Sequence, residues 1–295
     1  MSETQIAVKA EAPFRTKHTR KRKTVRKLFS EILAIILSLI IFGVPFYFVI
    51  VNASKDTKES SLLNMDLPSS FQLIENIQAV MAAQNGMIVR AFFNSMMITG
   101  FSIAILILVG AMAGYVLQRR TSKMSPFFNF LILAGLIIPP AIVPTIWVLD
   151  GIGLFKTMPG IILVEVALNL PFTILLYKGF MATLPKELDE AALIDGCGRL
   201  RLFFNIILPL LKPVSATVIV LTAVGVYNDF VNPLYFFPGA ENATLQLTLY
   251  NFSSMYNTQW NLLFTNILLI SIPPLILFIF FNKKIVAGMT AGAVK

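Results

Sequence analysis

The apolar residues of this 295-residue chain are gathered into blocks about as long as a bilayer is thick, and that arrangement limits the fold more than anything else in it. Six runs stand out, at 32–51, 95–117, 127–149, 160–178, 214–235 and 262–281. At 1.5 Å per residue, about 20 helical residues cross a hydrocarbon core about 30 Å thick. Hydrophobic residues make up 56% of the chain and charged residues only 13%, with a mean hydropathy of +0.76. A soluble fold of that composition would expose apolar patches that soluble monomers avoid. The expected fold is therefore an all-α membrane protein of six transmembrane helices. Run 160–178 is the weakest because it carries Glu165 and Pro171. Run 32–51 is longer than a signal-peptide core and no small-x-small cleavage site follows it, so a retained helix is expected.

Charge sets the orientation. Of the 24 Lys and Arg, nine precede the first run and eleven lie in segments 118–126, 178–213 and 282–295. The remaining four fall in the alternate segments 52–94, 150–159 and 236–261. Basic loops stay cytoplasmic, so both termini are expected inside. The organisation read from this pattern is a basic N-terminal tail (1–31), a six-helix membrane domain (32–281) with a large inner loop (180–213), and a C-terminal tail (282–295). The net charge of +9 resides mostly in the tail beside a membrane helix, which suits anionic lipid rather than nucleic acid.

Catalytic and metal chemistry find little support. The lone Cys197 and lone His18 allow neither a disulfide nor a ligand pair, and no HExxH occurs. Gly151-Ile152-Gly153-Leu154-Phe155-Lys156-Thr157 superficially resembles a phosphate loop but lacks the Gly-Lys pair and its spacing. No ATP hydrolysis by this chain alone is expected.

Several features mark bends and close approaches. Pro45, Pro139, Pro140, Pro144, Pro171, Pro273 and Pro274 interrupt the runs and invite kinks. Gly110 and Gly114 form a small-xxx-small pair suited to tight helix packing. Two carboxylates, Glu165 and Asp229, sit within runs, near Asn169, Tyr227, Asn228 and Asn232. Acids at such depth should face a cavity or each other. They suit either an outward vestibule for a neutral, hydroxyl-rich solute or interhelical hydrogen bonds without solute contact.

The inner loop is the most informative segment. Pro185 suits a first helical position, and Glu187, Asp189 and Glu190 complement the positive end of a helix dipole. Ala191 and Ala192 favour the helix, and Gly196 supplies its stop. A second helix, amphipathic through Leu200, Phe203, Phe204 and Ile207, should be broken by Pro209 and Pro213. The alternative, a linker resting on lipid headgroups, leaves the acidic turn unexplained.

Glu190-Ala191-Ala192, Asp195-Gly196 and Ile206-Ile207-Leu208-Pro209, ahead of the penultimate run, resemble the EAA loop of ABC importer permeases. Asn94-Ser95, Pro171-Phe172, Tyr227-Asn228-Asp229-Phe230 and the tail from Val286 to Lys295 extend the likeness to the MalG-type permeases of carbohydrate importers. The long basic N-terminus is outside the shared pattern, Tyr227 stands where the family often has tryptophan, and Cys197 where alanine or serine is common. The resemblance implies a type I permease fold in a bacterial cytoplasmic membrane. It also implies a second, MalF-like permease, two ABC ATPase subunits holding ATP and Mg, and an extracytoplasmic solute-binding protein. Glu190 would meet a basic group of an ATPase and Gly196 would form the turn. Ile206, Leu208 and Pro209 would anchor the second helix, and the segment from Gly288 to Lys295 would offer a second ATPase contact. Outer segment 236–261, with Tyr250, Phe252, Tyr256 and Trp260, would meet the binding protein or the sugar it releases. Alternatives are a permease for another polar solute and a stand-alone secondary transporter, which would more often show further spans or inverted repeats.

Overall fold

The computed structural model describes residues 29–120, 122–253 and 258–291, with side chains to residue 280. Among them every regular element is helical. The basic N-terminal tail to residue 28, with His18, as well as Tyr256 and residues 292–295, lie outside the described residues. Two compact units divide at residues 49 and 50. The first contains most of helix α1 (Phe29–Ala53), whose π-helical turn at Leu39–Gly43 precedes Pro45.

The second unit starts at the end of α1 that the charge pattern assigns to the outside, which fixes the labels inner and outer, and a single turn, α2 (Thr57–Ser60). Here Lys55 is 2% exposed, and its ammonium donates to the Asn64 carbonyl (3.0 Å) and the Asn64 side-chain oxygen. One of the few outer cations is thus tied to local acceptors. Gln72 N donates to Ser54 O at 2.9 Å, closing the loop between them. Asn76 and Thr265 donate to the carbonyl of Ala53.

Helix α3 (Leu73–Arg119) begins well before the expected span at 95. It is interrupted by an extended Ala83 and three left-handed residues, Gln84, Asn85 and Gly86. Asparagine and glycine tolerate that conformation better than other residues, which marks the break chemically. The expected third span, 127–149, is instead two helices, α4 (Ser125–Ile137) and α5 (Ile142–Gly151), meeting at 118°. Pro139 and Pro140 remove two successive donors, and Ile138 is pushed to the extended conformation that a following proline demands.

Helix α6 (Met158–Met181) passes through Pro171 unbroken. It packs along α3 where the glycines allow it: a Cβ on Gly110 would lie 2.5 Å from Thr173 Cγ2, and one on Gly114 would lie 2.7 Å from Tyr177 Cβ. The small-xxx-small pair is thus an intrachain seam. Gly135 of α4 likewise receives Pro171, with a Cβ there 2.8 Å from Pro171 Cγ.

The inner loop forms α7 (Glu187–Ile194) and α8 (Arg199–Leu210). After it come α9 (Lys212–Asn228), α10 (Val231–Phe236), a 3-10 turn (Gln246–Asn251) and α11 (Trp260–Ala291). The expected fifth span, 214–235, therefore stops at Asn228. The final helix carries the apolar stretch Trp260–Phe280, where the sixth span is expected, and continues to Ala291. Among the described residues, four helices are long and apolar enough to cross a membrane, or up to six if each bent pair counts as one span.

Candidate functional site

Two sites emerge, one at each end of the second unit. The inner one is the α7–α8 hairpin. Helix α7 starts at Glu187, two residues beyond Pro185, with Glu187, Asp189 and Glu190 in its first turn. It ends in paired bonds from Cys197 N to Ala192 O (2.9 Å) and from Gly196 N to Leu193 O (3.1 Å), with Gly196 at φ +75°. This is the Schellman closure, and it needs the left-handed residue that glycine supplies. Gly196 is thus the stop that the sequence promised.

The hairpin is held by both apolar burial and charge. Ala192, Leu202, Phe203, Ile207 and Leu211 are buried with Tyr177 and Met181 of α6 and Ala111 of α3. Ile206 and Leu208 pack against the same cluster half-buried, whereas Pro209, expected to help anchor the helix, is exposed. Helix α8 ends at Leu210 with a 72° bend into α9, one residue after Pro209. A π-helical turn at Phe203–Ile207 precedes it, in which Leu208 N reaches Phe203 O. Pro213 falls inside the first turn of α9, where a missing N–H is harmless.

The electrostatic hold comes from Arg119, the last residue of α3. Its Nε lies 2.7 Å from Asp189 Oδ2, and its other two nitrogens donate to the carbonyls of Leu184 and Pro185, both at 3.1 Å. The two side chains are only 9% and 13% exposed. Sequence reasoning missed this clamp, having used Arg119 for topology and Asp189 for the dipole. The opposite face of the hairpin is open. Glu190, Ala191, Asp195 and Gly196 are exposed, Ile194 is 85% exposed and Leu200 69%. An acidic turn beside bare aliphatic side chains is a surface suited to a protein partner.

The outer site centres on the break after Asn228. Asp229 is not inside a helix as expected. Its backbone is extended, and its Oδ1 accepts from Val231 N (2.8 Å) and Asn232 N (3.1 Å). Side-chain capping of this kind competes with helix continuation and gives the break its cause. The Asn232 amide donates to Asp229 Oδ2 and, at 3.1 Å, to Glu165 Oε1 of α6. One amide thus bridges both carboxylates, and Glu165 is 2% exposed. Asn169 donates to the Glu165 carbonyl (2.8 Å). Tyr227 is buried and donates to the Ile270 carbonyl of α11 at 2.7 Å. Of the six expected pathway residues, Glu165, Asp229 and Asn232 come together and Asn169 bonds within its own helix. Tyr227 turns elsewhere. Asn228 is exposed, and its side-chain oxygen accepts from Gln246 (3.0 Å).

The outer loop is tied to the same end. Asn94 donates to the carbonyls of Glu241 and Ala243, both at 3.0 Å, and Leu245 N donates to Ser95 Oγ at 2.9 Å. Tyr250 lies against Phe230 with ring centroids 5.1 Å apart. Phe252 is buried in the cluster of Val80 and Ile88, and Trp260 stacks on Phe264.

Residues 77–291 match the family model of the inner-membrane component of binding-protein-dependent transport systems, and the chain belongs to that family. Among its relatives, it is 35% identical to the probable starch degradation products transport system permease protein AmyC of Thermoanaerobacterium thermosulfurigenes, over 92% of this chain and 98% of that one. It is 33% identical to the melibiose/raffinose/stachyose import permease protein MelC of Bacillus subtilis, over 85% and 91% of the two chains. In fold it is similar to a chain of a bacterial ABC transporter that imports alginate, with a TM-score of 0.76 over 92% of this chain and 99% of that one at 18% identity.

Proposed function

We propose that this chain forms half of the translocation pore of an ATP-driven importer for a sugar or oligosaccharide, and that it receives the work of ATP hydrolysis through the α7–α8 hairpin. The observation that carries the proposal is the hairpin's two-sidedness: its rear is clamped by Arg119 and the Tyr177 cluster, while Glu190, Ile194 and Leu200 are free. A segment fixed on one side and bare on the other can pass a partner's movement to the helices above it.

In this reading the chain crosses a bacterial cytoplasmic membrane six times with both termini inside. It pairs with a second permease, two ABC ATPase subunits that hold the ATP and Mg, and an extracytoplasmic solute-binding protein. Glu190, Ala191, Asp195 and Gly196 face the ATPase, while Ala192, Ile206 and Leu208 seat the hairpin. The sugar class is supported by the relatives, whose names specify starch degradation products and melibiose, raffinose and stachyose. At the outer end, Glu165, Asn169 and Asn232 act as scaffold with Asp229, and the exposed Asn228 is the member open to solute.

The test is purification of the tagged chain in mild detergent from its native membrane, with mass spectrometry of its companions. An ATPase and a second permease are expected, with Glu190→Lys losing the ATPase alone. A chain competent for transport without an ATPase would overturn the importer in favour of a lone transporter.

A further inference from the structure

Helix α11 contains two adjacent prolines, Pro273 and Pro274, inside an otherwise continuous run. Each lacks the N–H that would bond four residues back, so the carbonyls of Leu269 and Ile270 lose their intrahelical donors. In a membrane such carbonyls must find a donor elsewhere. The Ile270 carbonyl finds one in Tyr227, whose hydroxyl lies 2.7 Å away on α9. Tyr227 is the penultimate residue of α9, next to the break at Asp229. One hydroxyl therefore connects the interruption of α9 to that of α11. Close by, Ser271 donates its side chain to the Ile267 carbonyl at 2.7 Å, a back-bond that also favours bending.

Beside this contact lies a cavity of about 180 Å3, lined by Thr99, Gly100, Tyr227, Pro273 and Pro274 among others. Thr99, 8% exposed, has a hydroxyl without a hydrogen-bond partner among the described residues. Buried hydroxyls are ordinarily paired, and one left open beside a proline pair calls for a use.

We propose that Pro273–Pro274 is a hinge of the transport cycle and that Tyr227 is its positioning residue. In the conformation described here the Tyr227 hydroxyl latches the hinge by replacing the donor that Pro274 lacks. The cavity is the space into which α11 bends when the latch opens, and Thr99 is the donor that meets a freed carbonyl there. Tyr227 acts through α11 and touches no solute. The functional half of this inference rests on the importer reading, whereas the latch itself does not.

The test uses the chain co-purified with its partner subunits and reconstituted in proteoliposomes. Amide hydrogen exchange over residues 266–280 reads the latch, and ATP hydrolysis per assembled complex reads the cycle. Interhelical hydrogen bonds in membranes have the strength to make Tyr227→Phe raise exchange in this segment by about three- to fifteen-fold. The same variant should alter hydrolysis per complex. Adding Pro274→Ala, which returns an N–H to the Ile270 carbonyl, should suppress both effects. Thr99→Val should leave resting exchange unchanged and slow hydrolysis. Unchanged exchange in Tyr227→Phe would overturn the latch, as would failure of Pro274→Ala to rescue it. A loss of yield with hydrolysis per complex unchanged would overturn the role in the cycle. If no ATPase co-purifies, the importer reading fails by itself and the exchange measurements still decide the latch.

Discussion

The inner hairpin and the outer break are both places where a helix stops, and they stop by opposite means. At the inner end α7 is closed by its own backbone, with Gly196 left-handed and two carbonyls met by the N–H groups of Gly196 and Cys197. Charge is used only behind it, where Arg119 grips Asp189. At the outer end α9 is stopped by a side chain, and the carboxylate that stops it is tied through Asn232 to a second acid on α6. The first arrangement leaves a face bare, while the second buries Glu165 and Asn232 and leaves Asn228 exposed beside them. A surface meant to be handled is stabilised from the rear, whereas a joint within the helices is stabilised from inside.

The sharpest way to break this contrast is Arg119→Ala. It strands Asp189 and the carbonyls of Leu184 and Pro185 together, and losing one partner of a buried ion pair costs about 3 kcal/mol or more. The expected outcome is a lower thermal midpoint and loss of the ATPase, whereas Glu190→Lys should lose the ATPase with its midpoint unchanged. Identical behaviour in the two variants would erase the distinction between rear and face.

Asn232→Leu should come next, at about 2 kcal/mol, because both Glu165 and Asp229 lose an amide donor. Thermal unfolding of the purified complex reads it, and an unchanged midpoint would mean that the bridge is incidental. Gly196→Ala forces a β-carbon into a left-handed turn at roughly 1–2 kcal/mol. Its signature should be faster amide exchange confined to α7 and α8. The smallest effect is expected from Asn94→Ala, which frees two loop carbonyls for about 1 kcal/mol. Limited proteolysis should then cut segment 237–253 sooner while the inner hairpin stays protected.

What the sequence disclosed follows the same division. The acidic turn and Gly196 were legible because helix capping is local chemistry, decided within a few residues. Arg119 and Asp189 were each visible, but their meeting was not, since it depends on how α3 and α7 are brought together. Proline placement announced a bend at Pro139 and Pro140, though not its 118°. The apolar run from 214 to 235 concealed the stop at Asn228, because hydropathy does not register one carboxylate capping two N–H groups. Tyr227 shows the limit most clearly. A phenol at that depth suggests solute contact, yet its acceptor is a carbonyl that Pro274 leaves without a donor.

The seam at Gly110 and Gly114 has a mechanical consequence. With no room for even a methyl group between α3 and the Thr173–Tyr177 stretch of α6, the two helices cannot slide past each other without separating. Arg119 lies at the foot of one and Met181, packed with the hairpin, at the foot of the other. A push on the hairpin is therefore delivered to a single stiff strut, and any yielding must occur elsewhere along its length or in its neighbours.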